Sequence, residues 1–484
     1  MKRFSIRDVV SAVPGARLLR GDVDVTLSGV GTDSRTITRG DLYVSLSGPR
    51  FDGNEFAQDA VSRGAGAVLL RTTRDLLTAP GLQRMLRSMP ERLPILLHDS
   101  PRAALGQFAA ATRAGLRGKV VGITGSCGKT TTKNILTELL RPHLSVVASP
   151  HSYNNDVGVP HTLFLADDST DVVVCEIGTS GPGEIANLCR IAQPDCGILT
   201  SIGASHLERL GSVEGVAEEK SALPVSIPPE GFAVLDADCR FTPLIASRCA
   251  ARVVTFSIDG RAHLVARNVR AHEAGTSFEL SGREVVSPLL GEHNVRNLLA
   301  ALAACLGLGL QLEDVLPSVG DLHGAHRRME RLVLALPGGA DVVLYDDSYN
   351  ANPESTRASL RVLRGMHGHA RRVLVLGDML ELGERSAELH HAIGVEAARA
   401  NLDLLCLVGD LVRATGAGAL EAGLSPASVV HVDDASEACR VVPTLLRSGD
   451  VALVKASRGV GLDRLVAHLA GESGAERPLA AGLR

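Results

Sequence analysis

Apolar and polar positions change their period several times along the chain, and the changes mark three units. Up to about residue 99, short apolar runs alternate with turns rich in Gly and Pro. This part closes with the run 64–70 (GAGAVLL) and a connector punctuated by Pro80, Pro90 and Pro94, a candidate boundary. From Lys119, apolar runs of strand length at 119–123, 171–175 and 196–199 alternate with amphipathic stretches beginning near Thr130, Gly183 and Val213. Fully apolar strands separated by helical patterns predict a parallel sheet covered on both faces. Residues 253–290 break the alternation and read as strands and turns, a small antiparallel annex, before a helix over 293–307 restores it. A third unit follows the Gly- and His-rich stretch 322–329, with strands predicted at 342–345, 373–376, 404–408, 429–432 and 451–454, a second doubly wound sheet. Residues 471–484 read as a frayed tail.

The expected fold is therefore α/β in three domains. Residues 1–99 form a small mixed α/β domain, 100–326 a central parallel sheet of the P-loop ATPase kind, and 327–484 a Rossmann-like domain. A length of 484 residues agrees with about three domains. With 45% hydrophobic and 21% charged residues, each can bury a core, and neither disorder nor a fibrous repeat fits. A formal net charge of −4 and 3% aromatics without Trp argue against nucleic acid as a partner. Nine scattered Cys contain no C-x-x-C pair, so neither a zinc site nor a disulfide framework is expected, and a reducing cytoplasm is. The start Met1-Lys2-Arg3 leads into no signal peptide, because Arg7 and Asp8 interrupt the apolar stretch. The longest apolar run, 298–310, has 13 residues, too few to cross a bilayer, and is expected as a buried helix.

The strongest local chemistry is the segment 120–132 (VVGITGSCGKTTT), a strand entering Gly125, Ser126, Cys127, Gly128, Lys129, Thr130 and Thr131 and then a helix. Glycines let backbone N–H groups turn inward around phosphate oxygens, Lys129 reaches the outer phosphates, and Thr130 can ligate Mg²⁺. The common spacing would place Gly at 123, where this chain has Ile123. Alone, the loop announces only a bound nucleoside triphosphate, which switches, transporters and kinases share. Glu176 ends the apolar run 172–175, and a carboxylate at that sheet edge suits a Mg²⁺ ligand. Its plain alternative is a solvated strand-end acid.

The segment 124–131 (TGSCGKTT) resembles the variant phosphate loop of the Mur ligase family, and the resemblance extends over nearly the whole chain. Four further segments, 153–160 (YNNDVGVP), 176–185 (EIGTSGPGEI), 346–353 (DDSYNANP) and 377–383 (GDMLELG), are similar to those of the members that add D-alanyl-D-alanine to UDP-N-acetylmuramoyl-tripeptide. The resemblance implies ATP and two Mg²⁺ ions, held by Thr130, Glu176, His206 and a carbamylated Lys220. It implies that Lys129, His206 and Lys220 are catalytic. Nucleotide contacts would come from the loop residues with Asn294, Asn297, Arg328, Asp346, Tyr349 and Asn350. Substrate contacts would come from Ser34, Arg35, Asn154, Asn155, Asn352, Lys455 and Arg458, the first two at the uridine diphosphate end. A cytoplasmic monomer with no integral membrane contact is expected.

Competing readings remain beside these. His206 alone would cap a helix or fill a core, Lys220 could be an i,i+4 salt-bridged surface lysine, Asn294 an N-cap, and residues 33–35 an ordinary turn. Ser201 and Ser205 stand where the family has Asn and Ala, 220–223 reads KSAL in place of KGEI, and Ala456 replaces a Gly. A sister ligase using another amino acid, a folate-type ligase, or a nucleotide-dependent switch are the rival functions. The last would leave Glu176, His206, Lys220 and the third unit without a task.

Overall fold

The computed structural model describes residues 3–49, 51–72, 80–336 and 340–471. The predicted tail from 472 onward lies outside them. Among the described residues, the strands form sheets of five, nine and six strands plus two two-stranded ribbons.

The first sheet runs in the order Arg17–Arg20, Ile95–His98, Ala67–Arg71, Asp41–Val44, Gly29–Gly31, parallel except for its first strand. The stretch containing Pro80, Pro90 and Pro94 is thus no extended linker: it folds into the helix Pro80–Ser88 and the strand Ile95–His98, which sits inside this sheet. The helix Pro101–Ala114 then leads into the central unit, with Phe108 packed between Phe4 and Phe164 at ring distances of 4.8 and 5.3 Å.

In the nine-stranded sheet the order is Val146–Ala148, Val172–Glu176, Lys119–Thr124, Cys196–Leu199, Phe232–Asp236, Arg252–Ile258, Leu264–His272, Gly275–Leu280, Arg283–Ser287. The first seven are parallel and the last two antiparallel to their neighbours. The predicted antiparallel annex is therefore no separate body. Residues 252–272 continue the parallel sheet, since Arg252–Ile258 packs directly along Phe232–Asp236, and only the final hairpin is antiparallel. Val120 to Ile123 are fully buried, as strands covered on both faces must be. The long apolar helix, Glu292–Gly307, packs against Lys129–Leu140 and the strands beside it, which buries Leu298 to Cys305 completely.

The six-stranded sheet has the order Glu330–Leu336, Ala340–Asp347, Asp450–Lys455, Arg371–Gly377, Leu404–Val408, Val429–Val432. Its five parallel strands cover every predicted one. Glu330–Leu336 was not anticipated; it pairs antiparallel with Ala340–Asp347 and seals an edge. Strand order reverses between Ala340–Asp347 and Arg371–Gly377 across Asp450–Lys455, so the turn after Asp347 opens at a crevice, the usual ligand position in such sheets. Among the described residues, no helix is long and apolar enough to cross a membrane.

Candidate active site

The phosphate loop links Lys119–Thr124 to the helix Lys129–Leu140 through two glycines with positive φ, Gly125 (+151°) and Gly128 (+87°). A Cβ at Gly125 would lie 2.0 Å from Thr200 Oγ1, and one at Gly128 2.3 Å from Asn297 Oδ1. Both positions therefore exclude a side chain for reasons of space as well as backbone. Ser201 and Ser205, the departures from the family pattern, brace the loop: Ser201 Oγ accepts from Cys127 N at 2.9 Å, and Ser205 Oγ donates to Ser126 Oγ at 2.9 Å. Lys129 Nζ donates to Gly125 O at 2.7 Å, with burial holding its ammonium below its usual range. The N–H groups at the start of its helix give the cradle a partial positive charge.

Glu176 ends its strand at 1% exposure. Its carboxylate accepts from Thr130 Oγ1 at 2.7 Å and from Asn154 Nδ2 at 2.9 Å, both neutral donors. Asn155 Oδ1 accepts from Gly158 N at 2.9 Å and holds the same loop over Glu176. Beneath that loop Lys133 donates to Ser149 O at 2.8 Å and to His151 O, and burial pushes its ammonium down to about 8. Nothing in its sequence context singled out Lys133, because its partners are backbone carbonyls brought up by the fold.

Lys220 is not a surface salt-bridged lysine. It is fully buried, and its Nζ has no hydrogen-bond partner among the described residues. Glu218 instead pairs with Arg248 at 2.6 Å, and Glu219 accepts from Gly183 N and Ile185 N at 2.6 and 2.8 Å. Burial, helped by the nearby Lys129 charge, holds the Lys220 ammonium well below its ordinary range, which favours the nucleophilic free amine.

A cavity of about 650 Å³ lies between the phosphate loop, the start of Glu292–Gly307 and the turns of the third sheet. On its central side, Asn297 Nδ2 donates to Asn294 Oδ1 at 3.1 Å and Asn294 Nδ2 to Leu290 O at 2.9 Å. The helix is capped by Gly291 (φ +87°), and Asn294 falls in its first turn, so the N-cap reading does not hold. His293, passed over in the sequence beside the more conspicuous Asn294, lines the cavity, and burial pushes its imidazole down to about 4.

From the third sheet, Asp347 lines the cavity, whereas Asp346 points elsewhere and accepts from Ser348 N at 2.9 Å. Lys455, which also lines the cavity, has its Nζ against Asp347 Oδ2 at 2.6 Å and donates to Asn350 O at 3.1 Å, which fixes the turn. Only 2% and 11% of these side chains are exposed, so removing either would strand a buried charge. Asn352 caps the helix Pro353–Gly365, accepting from Ser355 N at 2.9 Å. Arg328 stacks over the Tyr349 ring at 4.0 Å and Arg458 stands 6.0 Å from the same ring, which puts two cations on one wall. His206 and Glu381 close the rim, Nδ1 to Oε2 at 2.5 Å.

Ser34 and Arg35 do not join this cavity. They form a short 3-10 turn in which Asp33 accepts from Arg35 N at 2.9 Å and pairs with its guanidinium at 2.7 Å, as an ordinary turn would. Thr32 Oγ1, next to them, is 3.1 Å from His161 Nε2 on the helix Gly158–Phe164, which fastens the first unit beside the central one. Among the described residues, no three His, Cys, Asp or Glu side chains gather as a metal cluster.

Comparison with known proteins finds matches to three family models: the Mur ligase family catalytic domain over residues 26–113, the Mur ligase middle domain over 123–305, and the Mur ligase glutamate ligase domain over 327–458. The chain is 31% identical to the UDP-N-acetylmuramoyl-tripeptide--D-alanyl-D-alanine ligase of Bacillus subtilis, with 97% of this chain and 99% of the relative covered. It is 33% identical to the enzyme of the same name from Escherichia coli, with 93% and 96% covered. Among solved structures, MurF from Acinetobacter baumannii superposes with a TM-score of 0.84 at 28% identity, covering 97% of this chain and 99% of that one. MurF ligase from Thermotoga maritima in complex with ADP gives 0.77 at 28% identity, with 92% and 97% covered.

Proposed function

The chain belongs to the Mur ligase family, and within it we propose the ligase that joins D-alanyl-D-alanine to UDP-N-acetylmuramoyl-tripeptide, with ATP converted to ADP and phosphate. The product is the pentapeptide precursor of peptidoglycan. One observation carries the reading: the phosphate loop, Glu176 and the third-sheet turn with Arg458, distant in sequence, line a single cavity in a chain that matches such ligases end to end.

A carboxylate and an amine do not condense at neutral pH until the carboxylate acquires a leaving group. The tripeptide's terminal carboxylate oxygen attacks the γ-phosphorus of ATP, the bond to the β-phosphate oxygen breaks, and ADP leaves. Lys129 and the N–H groups of the loop offset repulsion between the two anions. The amine of D-alanyl-D-alanine then attacks the acyl phosphate carbon, gives up its proton, and expels phosphate from the tetrahedral intermediate. Arg458 supplies a cation for the dipeptide carboxylate, Arg328 one for the terminal phosphate of the nucleotide, and His206 faces the reacting centre. Asn294, Asn297, Asp347, Tyr349 and Asn350 surround the nucleotide, with Asn154 and Asn155 over the tripeptide end and Ser34 and Arg35 serving the uridine diphosphate end.

The residues present fit Mg²⁺. Glu176 is a buried carboxylate with only neutral donors, Thr130 is at its side, and the orphaned Lys220 amine is suited to carbamylation, which would turn it into an oxygen ligand. Thr130, Glu176, His206 and carbamylated Lys220 would hold two ions, which when bound neutralise charge building on the phosphates. Residues 1–99, 100–326 and 327–484 act as substrate-binding, ATP-binding and ligase domains of a cytoplasmic monomer. The test is a product assay by mass spectrometry with ATP, UDP-N-acetylmuramoyl-tripeptide and candidate amines. Pentapeptide should form from the dipeptide; preferential incorporation of a single amino acid would point to a sister ligase, and ATP hydrolysis without either substrate to a switch.

A further inference from the structure

The stretch 377–383 (GDMLELG) has no task in the reaction above. Its first four residues anchor it inside the third unit. A Cβ on Gly377 would lie 2.7 Å from Ala456 Cβ, and Asp378 Oδ1 accepts from Val412 N at 2.9 Å. Met379 N donates to His390 Nε2 at 3.0 Å and Leu380 N to Ser457 Oγ at 2.9 Å. The last three residues turn to the central unit. Leu382 is 2% exposed in the cluster that holds Ala204 and Leu207, and Gly383 (φ +61°) leaves 3.2 Å between a would-be Cβ and Glu208 Cα. Between them, Glu381 O accepts from Glu208 N at 3.3 Å, and Glu381 Oε2 meets His206 Nδ1 at 2.5 Å.

Glu381 and His206 share a second property: both hold left-handed backbone angles, φ +62° and +53°. Residues with side chains rarely adopt these angles and keep them only where the surroundings over-determine them. Here the surroundings come from two different units. A carboxylate can only accept, so the imidazole donates from Nδ1 and Nε2 is left as the nitrogen free to act in the cavity.

Resting on the ligase reading, we propose that Glu381 is a positioning residue for the reaction: supplied by the third unit, its carboxylate fixes the tautomer and orientation of His206, so that this histidine is set for chemistry only while 377–383 is docked on 204–208. The conspicuous sequence motif is then the third unit's half of a latch. Its apolar residue, Leu382, provides docking area, Gly383 permits close approach, and Glu381 transmits docking to the site.

The experiment measures kcat, and KM for ATP, tripeptide substrate and D-alanyl-D-alanine, in the wild type, Glu381→Ala, Glu381→Gln, His206→Ala and the Glu381→Ala/His206→Ala double variant, together with melting temperatures. Glu381→Ala should lower kcat about 10- to 100-fold, the usual effect of losing a group that orients a site histidine. Its KM for ATP should stay within about twofold and its melting temperature unchanged, because the side chain is 57% exposed. The double variant should be no slower than His206→Ala by more than about twofold, since one residue acts through the other. Glu381→Gln, whose amide oxygen still accepts from Nδ1, should recover part of the loss. Single-variant losses that multiply in the double variant, or a Gln variant as slow as Ala, would overturn the proposal. A wild-type protein that makes no product would sink the ligase reading before any variant is compared, so the two failures are distinguishable.

Discussion

Cys127 in the phosphate loop and Asn352 in the third sheet's turn are 225 residues apart in sequence and meet at 3.2 Å, thiol against amide. The same Asn352 Oδ1 caps the helix Pro353–Gly365, so one side chain ends a helix and touches the ATP-binding loop. Asn352→Ala should cost about 1 kcal/mol through the lost cap. Asn352→Asp, which keeps the cap, should retain that stability while weakening the contact with Cys127. Thermal melts of the three proteins separate the two contributions. A melt of Asn352→Ala indistinguishable from wild type would refute the capping assignment.

Lys220 makes a chemical prediction. Its buried, unpartnered amine, with the charged form disfavoured by burial, should react with CO₂, and Lys220→Ala should lose most activity, with short carboxylic acids partly restoring it by occupying the vacated oxygen position. A crystal structure at high bicarbonate that shows an unmodified amine would count against the carbamate.

The protonation of His293 sets a pH window for stability. Its folded value of about 4 lies below its unbound value of 6.5. Between these limits the unfolded chain takes up a proton that the folded chain refuses, so stability falls as pH falls from 6.5 through 4 and this contribution levels off below. Above 6.5 the contribution is constant. Melting temperatures across this range should decline less steeply for His293→Gln than for the wild type; parallel slopes would contradict the burial of this ring.

Arg458 tests how the amine substrate is held. Arg458→Lys keeps a positive charge but loses the planar fork that grips a carboxylate by two hydrogen bonds. The KM for D-alanyl-D-alanine should rise about tenfold or more, a loss of roughly 1.4 kcal/mol, while the KM for ATP changes little. Equal increases in both would assign Arg458 to the nucleotide.

Much of the fold was legible from local signals. Unbroken apolar runs gave the parallel strands of the second and third sheets, because strands buried on both faces have no polar side to show. The glycines and Lys129 of the phosphate loop, and Glu176 at a strand end, were visible because their chemistry depends on neighbours within a few residues. Glu330–Leu336 escaped notice because its exposed Val333 and partly polar start resemble a loop until Ala340–Asp347 lies beside it. The supposed annex at 253–290 escaped for a related reason: its strands carry polar positions between the apolar ones, a pattern that looks the same whether or not they join a larger sheet.

The sequence by itself determined which chemical groups the protein carries and the order of its helices and strands, since backbone preference and periodicity act over one or two turns of chain. Only the tertiary structure decided what those groups face. It put Asp347 rather than Asp346 on the cavity, tied Lys455 to Asp347, set Glu381 against His206, and left Lys220 without a partner. Partnership and desolvation depend on residues far away in sequence. A lysine's charge state or a histidine's orientation is therefore fixed only when the sheets and the helices on them have closed around it.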